Sequence, residues 1–362
     1  MSDNNNPDKS FLVLFLGPVS AYLADDDVSE ILINGPSQIY VERRGKLERT
    51  EAKFVSEPAL KAAAVNIAKS VGRLLNEDNP RLDARLPDGS RVHAVIPPLA
   101  RCGTVIAIRK FKRDTLTMEK LQAFGSVSPE VVMLLRALVL LHKNVIVSGG
   151  TSSGKTSVLN ALSSFIPNDE RVLVIEDASE LQLQQEHVVP FETRKPDKNG
   201  NGEVTIRDLI NSSLRLRPDR LVIGEIRGGE ALDLLQALNT GHAGSMSTIH
   251  ANTPSDTLFR LETCALLSGF DIPLAALRAQ VATAIDAVVQ TARLSDGSRK
   301  VVSISEVLPL QAGEYRLNEL LAWQTDRILP DGTMEGKHVL KAPPVFTEQA
   351  AIAKVELPGR KE

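Results

Sequence analysis

The fold is decided by the stretch Gly149-Gly150-Thr151-Ser152-Ser153-Gly154-Lys155-Thr156. It follows the apolar run 144–148 and precedes a helical pattern over 157–162. A strand, a glycine-rich loop, Lys-Thr and a helix, in that order, are typical of a phosphate-binding P-loop. An ordinary Gly/Ser-rich turn between strand and helix is the alternative. The complete order of elements favours the P-loop and predicts an α/β domain around it.

The P-loop predicts ATP as the ligand and Mg²⁺ as its companion ion. Glycines let backbone N–H groups converge on the phosphates, and the helix N-terminus adds partial positive charge. Lys155 is expected to reach the β- and γ-phosphates, and the Thr156 hydroxyl to ligate Mg²⁺. The predicted nucleotide-binding residues are Gly149, Gly150, Thr151, Ser152, Ser153, Gly154, Lys155, Thr156 and Ser157.

Composition sets the outer limits of function. The chain has 362 residues, of which 43% are hydrophobic, enough for two or three packed domains. Its net charge is -3 and only 4% of residues are aromatic, so nucleic-acid binding is disfavoured. Cys102 and Cys264 lie far apart in sequence. This spacing argues for a reducing compartment and against a disulfide framework or a zinc site.

The N-terminal run Phe11–Leu16 is strongly apolar but far too short to span a bilayer. It lacks the basic leader of a signal peptide, because Asp3 and Asp8 outweigh Lys9. We expect a helix that packs on its own domain or on a neighbouring subunit. Any role at a membrane is therefore expected to be peripheral.

Pattern changes divide the chain into four segments. Residues 1–111 mix helical and strand patterns and form a first α/β domain, whereas the polar, charged residues 112–118 form a linker. Residues 119–308 alternate strand and helix, as a three-layer α/β core with a parallel sheet does. Residues 309–362 form a tail to which the sequence assigns no structure.

Three apolar strands of the second domain end in polar residues. They end at Glu176-Asp177, at Glu225 and at His250. In open α/β sheets, ligands bind at the carboxyl edge of the strands. We therefore expect these side chains to converge on the P-loop.

Glu225 is the best candidate for the hydrolytic carboxylate. A solvated loop acid is the alternative, but an acid after a buried strand of a P-loop protein favours Mg²⁺ binding through water or activation of the attacking water. A Walker B strand usually ends in Asp, and Gly224 stands at that place. The expected metal-binding residues are therefore Thr156 and Glu225.

Two further groups of polar residues stay open between catalytic and structural roles. In the acidic cluster Glu176, Asp177 and Glu180, one carboxylate is expected to orient water while the others cap the next segment, and the sequence does not say which residue does which. His242 and His250 flank a strand, and each is either a structural histidine or a phosphate sensor. Zinc binding is disfavoured, because no matching cysteine or acid spacing accompanies them.

Arginines are concentrated just before the Glu225 strand. A solvated helix face is the simpler interpretation, and we favour it for Arg207. The others have the planar, permanently charged group that suits contact with a nucleotide phosphate across a subunit boundary. These are Arg215, Arg217 and Arg220.

Four motifs together resemble those of the type II/type IV secretion ATPase superfamily. GGTSSGKT, VIEDASEL, LRLRPDRLVIGEIRGGEA and TGHAGSMSTIHANTP look like its Walker A, Asp box, Walker B and His box, in the family's order. The first domain adds DDDVSEILINGPSQIYVERRGKL, LPDGSRVHAVIPP and TVIAIRKF, which look most like the CpaF-like branch serving tight-adherence (Flp) pili. The resemblance covers about Leu23 to Leu308. Unlike some relatives, the chain has no four-cysteine zinc module.

The resemblance implies an N-terminal mixed α/β, PAS-like domain followed by a RecA-like ATPase domain. It also implies a homohexameric cytoplasmic ring, peripheral at the inner membrane through platform proteins of a pilus or secretion system. Hydrolysis of ATP would move the two domains against each other. In the first domain, Arg91 and Arg109 stand where relatives place arginines that reach the nucleotide phosphates.

Motif by motif, the resemblance gives a set of candidate catalytic residues. These are Glu225, Glu180, Glu176, Arg91, Arg109, Arg227, His242 and His250. Three alternative functions stay open. They are a type IV secretion traffic ATPase for effectors or DNA, a nucleic-acid-stimulated RecA- or helicase-like ring motor, and an interaction subunit that binds ATP but turns it over poorly.

Overall fold

The computed structural model describes residues 15–43, 45–110, 116–196 and 200–359. The chain forms two compact units, residues 1–114 and 115–362. Most of the apolar run 11–16 and most of the expected linker 112–118 lie outside the described residues. Among the described residues, none of the helices is long and apolar enough to cross a membrane.

The first unit is built on a six-stranded antiparallel sheet in the order β3-β2-β1-β6-β5-β4. Its strands are β1 (Val28–Asn34), β2 (Ile39–Arg43), β3 (Lys46–Arg49), β4 (Arg81–Arg85), β5 (Arg91–Val95) and β6 (Val105–Arg109). Its helices are a 3₁₀ turn (Gly17–Val19), α1 (Ser20–Ala24) and α2 (Glu57–Ser70). Residues on alternate positions of β5 and β6 are buried, so one face of the sheet carries the core.

Helix α2 covers that face of the sheet. Its start is fixed by Ser56, whose side chain accepts a hydrogen bond from the Ala59 N–H, and by Pro58 in the first turn. Leu60, Ala64 and Ile67, at helical spacing, are buried in the same core cluster as the sheet.

The second unit is built on a nine-stranded sheet in the order β15-β14-β13-β12-β7-β11-β10-β8-β9. The six neighbouring strands β12-β7-β11-β10-β8-β9 run parallel. They are β7 (Val145–Gly149), β8 (Val172–Glu176), β9 (Val188–Glu192), β10 (Arg220–Ile226), β11 (Met246–Ile249) and β12 (Ala287–Arg293). The antiparallel strands are β13 (Arg299–Gln311), β14 (Glu314–Ile328) and β15 (Met334–Leu340).

Helices cover both faces of the parallel part of this sheet. They are α3 (Met118–Ala123), α4 (Pro129–Leu140), α5 (Lys155–Ser163), α6 (Ile206–Ser213), α7 (Glu230–Asn239), α8 (Pro254–Leu266), α9 (Leu274–Ala284) and α10 (Thr347–Ile352). Val145 and Val147 of β7 belong to a core cluster with α4 and α5, whereas Ile146 belongs to one with α7, α8 and α9. Because both faces are covered, β7 reads as a continuous apolar run. These two architectures confirm the predicted fold class.

The residues after 308 are part of the second unit. The boundary expected at residue 308 falls inside β13, and β14 and β15 continue the sheet from there. Phe346, Ala350 and Leu357 are buried in the core cluster of α4 and α5. Trp323 of β14 lies with its ring centroid 4.9 Å from the Lys300 ammonium and 5.0 Å from the His338 ring.

Candidate functional site

The P-loop connects the end of β7 to the start of α5, at the carboxyl edge of the parallel strands. Gly149 has φ +157° and Gly154 φ +95°, conformations that favour glycine. A side-chain carbon at residue 149 would collide with the hydroxyl oxygens of Thr291 and Ser153. Thr291 and Ser153 therefore pack tightly against the loop at Gly149. The helix N-terminus at the other end of the loop suits an anion.

The ammonium of Lys155 lies inside the loop. Its Nζ donates to the carbonyl oxygens of Gly149, at 3.1 Å, and Gly150, at 3.0 Å. It also lies 3.2 Å from Nδ1 and 3.4 Å from Nε2 of His250. The charge expected to meet the phosphates is thus already held at the loop by backbone carbonyls.

Glu225 lies between two partners that engage different oxygens. Its Oε2 accepts hydrogen bonds from Arg227, from Nε at 2.9 Å and from Nη2 at 2.6 Å. Its Oε1 lies 2.9 Å from His250 Nε2, without hydrogen-bond geometry, and is buried with no hydrogen-bond partner. The arrangement leaves Oε1 as the oxygen that can accept a proton or a hydrogen bond from water.

His250 joins the P-loop to the Glu225 strand. Burial lowers the pKa of its imidazole, the nearby Lys155 ammonium lowers it further, and the Glu225 carboxylate opposes both. A histidine with a lowered pKa is neutral at pH 7. The neutral ring can lie beside the Lys155 ammonium without repulsion and keep one nitrogen available as a donor.

The acidic cluster divides into distinct roles. Glu176 is 3% exposed, and its Oε1 accepts the backbone N–H groups of Glu180, at 2.9 Å, and Leu181, at 3.0 Å. Burial raises the pKa of Glu176 to about 7. Asp177 lies 3.7 Å from Arg227 Nη1. Glu176 thus caps the segment after β8, whereas Asp177 faces the Glu225–Arg227 pair.

Glu180 faces the same pair electrostatically. The pKa of the Arg227 guanidinium is raised first by the hydrogen bonds that it donates to Glu225 and then by the charges of Glu225, Asp177 and Glu180. Glu225 and Arg227 are therefore held beside two further carboxylates, and Glu180 stays a candidate to orient water.

His242 does not join this site. It precedes β11, and its Nδ1 donates to the Ala237 carbonyl oxygen at 3.1 Å. His250 follows the same strand, so the strand carries the two histidines to opposite edges of the sheet. Of the two roles left open for His242, this contact favours the structural one within this unit.

Among the arginines before β10, Arg220 differs from expectation. Arg220 is fully buried; it is paired with Glu170 and donates to the carbonyl oxygens of Gly244 and Val139, both at 3.0 Å. It cannot reach a nucleotide on another subunit. Arg207 pairs with Asp233 at 2.9 Å, and Arg215 and Arg217 are exposed.

Arg91 and Arg109 belong to the first unit. They are direct cross-strand neighbours on β5 and β6, and Arg85 on β4 is the next neighbour of Arg91 in the same row. Arg109 Nε lies 4.0 Å from Glu30 Oε1 on β1. Like charges directly opposite on a sheet are destabilising. A row of three arginines is therefore a surface that suits an anion.

Several residues that hold the P-loop carry no local sequence signal. Thr291 of β12 donates to the Ser148 carbonyl oxygen at 2.9 Å and lies 2.8 Å from the Ser153 hydroxyl. Arg299 of β13 donates from Nε to the Ser152 carbonyl oxygen at 2.8 Å. Both are more than 130 residues from the loop in sequence. Only the sheet order, which places β12 beside β7 and β13 beside β12, brings them there.

The residues fit an Mg²⁺ ion bound together with a nucleotide. The orphaned Oε1 of Glu225 is an acceptor for a metal-bound water, and Thr156 lies in the first turn of α5. Within the described ranges, no group of three or more His, Cys, Asp or Glu side chains is arranged to hold a metal. Mg²⁺ in such sites is bound through substrate phosphates, waters and few protein oxygens, so no protein cage is needed.

Comparison with known proteins gives matches along most of the chain. The family model described as Type II/IV secretion system protein matches residues 16–319. A protein of Mycobacterium tuberculosis named for conjugal transfer is 35% identical over 87% of this chain and 90% of its own. The type IV secretion system protein PtlH of Bordetella pertussis is 34% identical over 82% and 96%, respectively.

Solved structures share the fold. The ATPase DotB of Legionella pneumophila superposes with a TM-score of 0.58 at 18% identity, covering 79% of each chain. The pilus retraction motor PilT with bound ADP gives a TM-score of 0.53 at 19% identity, covering 85% of this chain and 81% of its own. At these identities the likeness concerns the fold.

Proposed function

The chain belongs to the type II/IV secretion system protein family and is an ATPase, and from this premise we propose that it is a motor for pilus assembly or protein secretion across the inner membrane. The observation that carries the proposal is the meeting of Lys155, His250 and Glu225 at one edge of the sheet. Lys155 begins the helix after the P-loop, which follows β7, whereas Glu225 and His250 lie at the ends of β10 and β11. These three strands are adjacent and parallel.

The residues divide the work of hydrolysis as follows. Lys155 and the loop N–H groups bind the phosphates, and Thr156 would hold the Mg²⁺ that accompanies them. That ion neutralises charge that develops on the phosphate oxygens. Arg227 fixes Glu225 through Oε2, and Oε1 polarises the attacking water. Neutral His250 lies between Glu225 and Lys155 and fixes their positions relative to each other.

Arg91 and Arg109 would supply further positive charge from the first unit. Attachment of these arginines to a separate unit couples the presence of the γ-phosphate to domain closure. We further propose a homohexameric ring in the cytoplasm, held at the inner membrane by platform proteins, as the arrangement in which this motion performs work.

The assignment of the base is tested by paired substitutions. Glu225→Gln is expected to lower ATP turnover by about 100- to 1000-fold while leaving nucleotide binding nearly unchanged, because the amide cannot accept the water's proton. Glu180→Gln is the matched comparison, and we expect a smaller loss. If Glu225→Gln turned over at the wild-type rate and Glu180→Gln did not, Glu180 would be the base.

The branch of the family is a finer proposal. We favour a tight-adherence pilus motor, because the first-unit stretches 25–47, 86–98 and 104–111 resemble that branch. The names of PtlH and of the Mycobacterium tuberculosis relative favour a type IV secretion or transfer motor instead. Neighbouring genes for a prepilin peptidase and small pilins would support the pilus branch. A nucleic-acid motor would be supported if single-stranded DNA stimulated ATP turnover and if added salt abolished this stimulation.

A further inference from the structure

Gln290 is a buried polar side chain in the middle of the sheet that the hydrolytic roles above do not use. It lies on β12 and is 4% exposed. In the register of the sheet it pairs with Ser148 of β7, which in turn pairs with Ile249 of β11 on its other side. Gln290 therefore lies one strand away from the P-loop strand and two strands away from the strand that ends at His250.

The amide of Gln290 connects β12 to β7 and to the segment that follows β11. Its Oε1 accepts a hydrogen bond from the Ser148 hydroxyl at 2.5 Å. Its Nε2 donates to the carbonyl oxygens of Ala251, at 3.2 Å, and Asn252, at 3.1 Å. Two carbonyl oxygens can only accept, so these partners fix which end of the amide faces them.

The hydrogen-bond partners of Gln290 lie next to two parts of the candidate site. Ser148 immediately precedes the P-loop, whereas Ala251 and Asn252 immediately follow His250. One side chain thus fixes the spacing between the phosphate-binding loop and the residue that contacts both Lys155 and Glu225. A displacement of about 1 Å at a catalytic group can cost on the order of 100-fold in rate.

We infer that Gln290 is a positioning residue for hydrolysis, which holds His250 between Lys155 and Glu225. This inference rests on the proposed function. Leucine keeps much of the volume but leaves the Ser148 hydroxyl and the carbonyl oxygens of Ala251 and Asn252 without this partner. An ionised glutamate would place negative charge against those carbonyl oxygens, whereas a protonated glutamate can still donate to one of them.

Steady-state ATP turnover and binding of a fluorescent ATP analogue test the inference on the full chain. For Gln290→Leu we expect kcat to fall by about 10- to 100-fold with KM changed by less than about threefold. Adding Gln290→Leu to His250→Asn should cause almost no further loss, because both substitutions remove the same function. Independent losses that multiply would overturn the inference.

The pH profile of Gln290→Glu gives a second readout. Burial raises the pKa of a carboxyl group, so the introduced glutamate should gain a proton as the pH falls toward 6. The ATP turnover of the variant relative to wild type should therefore be lowest at pH 8 and recover several-fold toward pH 6. The groups that Gln290 contacts, one hydroxyl and two carbonyl oxygens, do not titrate in this range. The nearby charged residues Lys155, His250 and Glu225 are present in both proteins, so the ratio of the two rates reports on residue 290. A flat ratio would contradict the inference.

Gln185 provides a matched control. It is 8% exposed, and its Nε2 also donates to two backbone carbonyl oxygens, those of Ser163, at 2.8 Å, and Ile166, at 3.2 Å, near the end of α5 away from the loop. Gln185→Leu should lower stability without the loss of kcat. Equal losses of kcat at both positions would show a general effect of buried amides. A wild-type protein without turnover would instead overturn the proposed function, and this inference with it.

Discussion

Glu176 illustrates how one residue differs from what its motif implies. It was a candidate for orienting water, yet its carboxylate is buried and accepts two backbone N–H groups of the following segment. Gly224 lies against it, since a side-chain carbon there would be 3.0 Å from Glu176 Cγ. The glycine at the usual place of the Walker B aspartate therefore makes room for this buried acid.

The raised pKa of Glu176 predicts a pH-dependent stability. The folded protein holds this proton up to about pH 7, whereas the unfolded chain releases it near 4.5. The free energy of unfolding therefore decreases as pH rises from about 4.5 to 7, because the folded protein is then more and more costly to keep protonated at Glu176. In Glu176→Gln, residue 176 does not titrate. The free energy of unfolding of this variant minus that of wild type should therefore be up to about 3 kcal/mol larger at pH 8 than at pH 4.5.

Urea denaturation at the two pH values measures this difference. Glu186→Gln is a suitable control, because Glu186 is exposed. The control should show almost the same difference from wild type at both pH values. A Glu176→Gln variant whose stability relative to wild type did not change with pH would show that the carboxyl is ionised in the folded protein throughout this range.

At the scale of elements, the Glu225 strand is irregular where the chemistry is expected. The pairing of β10 with β11 changes register between Ile223 and Ile226. Thr248 of β11 donates from its hydroxyl to the Gly224 carbonyl oxygen at 2.7 Å. Bulges of this kind redirect a side chain. The Thr248 bond therefore fixes the direction in which Glu225 leaves the strand.

Thr248→Val tests this element. Valine keeps the shape but removes the donor, so the Gly224 carbonyl oxygen loses its partner at a cost of about 1–3 kcal/mol. We expect a matching loss of stability and a several-fold lower kcat, measured by denaturation and ATP turnover. Thr283→Val is the control, since Thr283 is exposed and its hydroxyl bonds within its own helix, α9. Equal effects of the two substitutions on kcat would refute the role of the bulge.

Elements were predictable from sequence where their signals are local. The P-loop, the strands that end at Glu176, Glu225 and His250, and the layered α/β fold follow from apolar runs and glycine positions. His242 and His250 could not be assigned different roles from sequence, because a flanking pattern does not say which edge of the sheet each residue reaches. Thr291 could not be found, because its contact with the loop depends on strand order alone.

Charge patterns were a weaker guide than apolar patterns. Arg220 belongs to an arginine-rich segment whose surface exposure seemed natural from sequence, but its side chain is buried with Glu170. A buried arginine must be paired, and its partner lies 50 residues away in sequence. Sequence reasoning had no means of identifying that partner.

At the scale of the whole molecule, two units have separate hydrophobic cores. One core cluster lies within the first unit, and the clusters around β7 lie within the second. Domains with their own cores can unfold independently. The P-loop belongs to the second unit, whereas Arg91 and Arg109 belong to the first.

Calorimetry with a non-hydrolysable ATP analogue and Mg²⁺ tests whether both units bind the nucleotide. We expect two transitions, of which Thr248→Val lowers the one that belongs to the second unit. At 100 times Kd the ligand stabilises what it binds by about 2.7 kcal/mol, so both transitions should rise. In the Arg91→Gln/Arg109→Gln variant only the second-unit transition should rise. An unchanged first-unit transition in wild type would overturn the proposal that these arginines contact the nucleotide.

The position of Trp323 has a practical consequence. It is the single tryptophan of the chain and lies on β14 between Lys300 and His338. Excitation at the red edge of aromatic absorption therefore yields emission from one strand of the second unit. Protonated histidine quenches indole emission, and burial lowers the pKa of His338, so the emission should stay bright into mildly acidic buffers. The unlabelled protein thus carries its own optical reporter of the hairpin that ends its sheet.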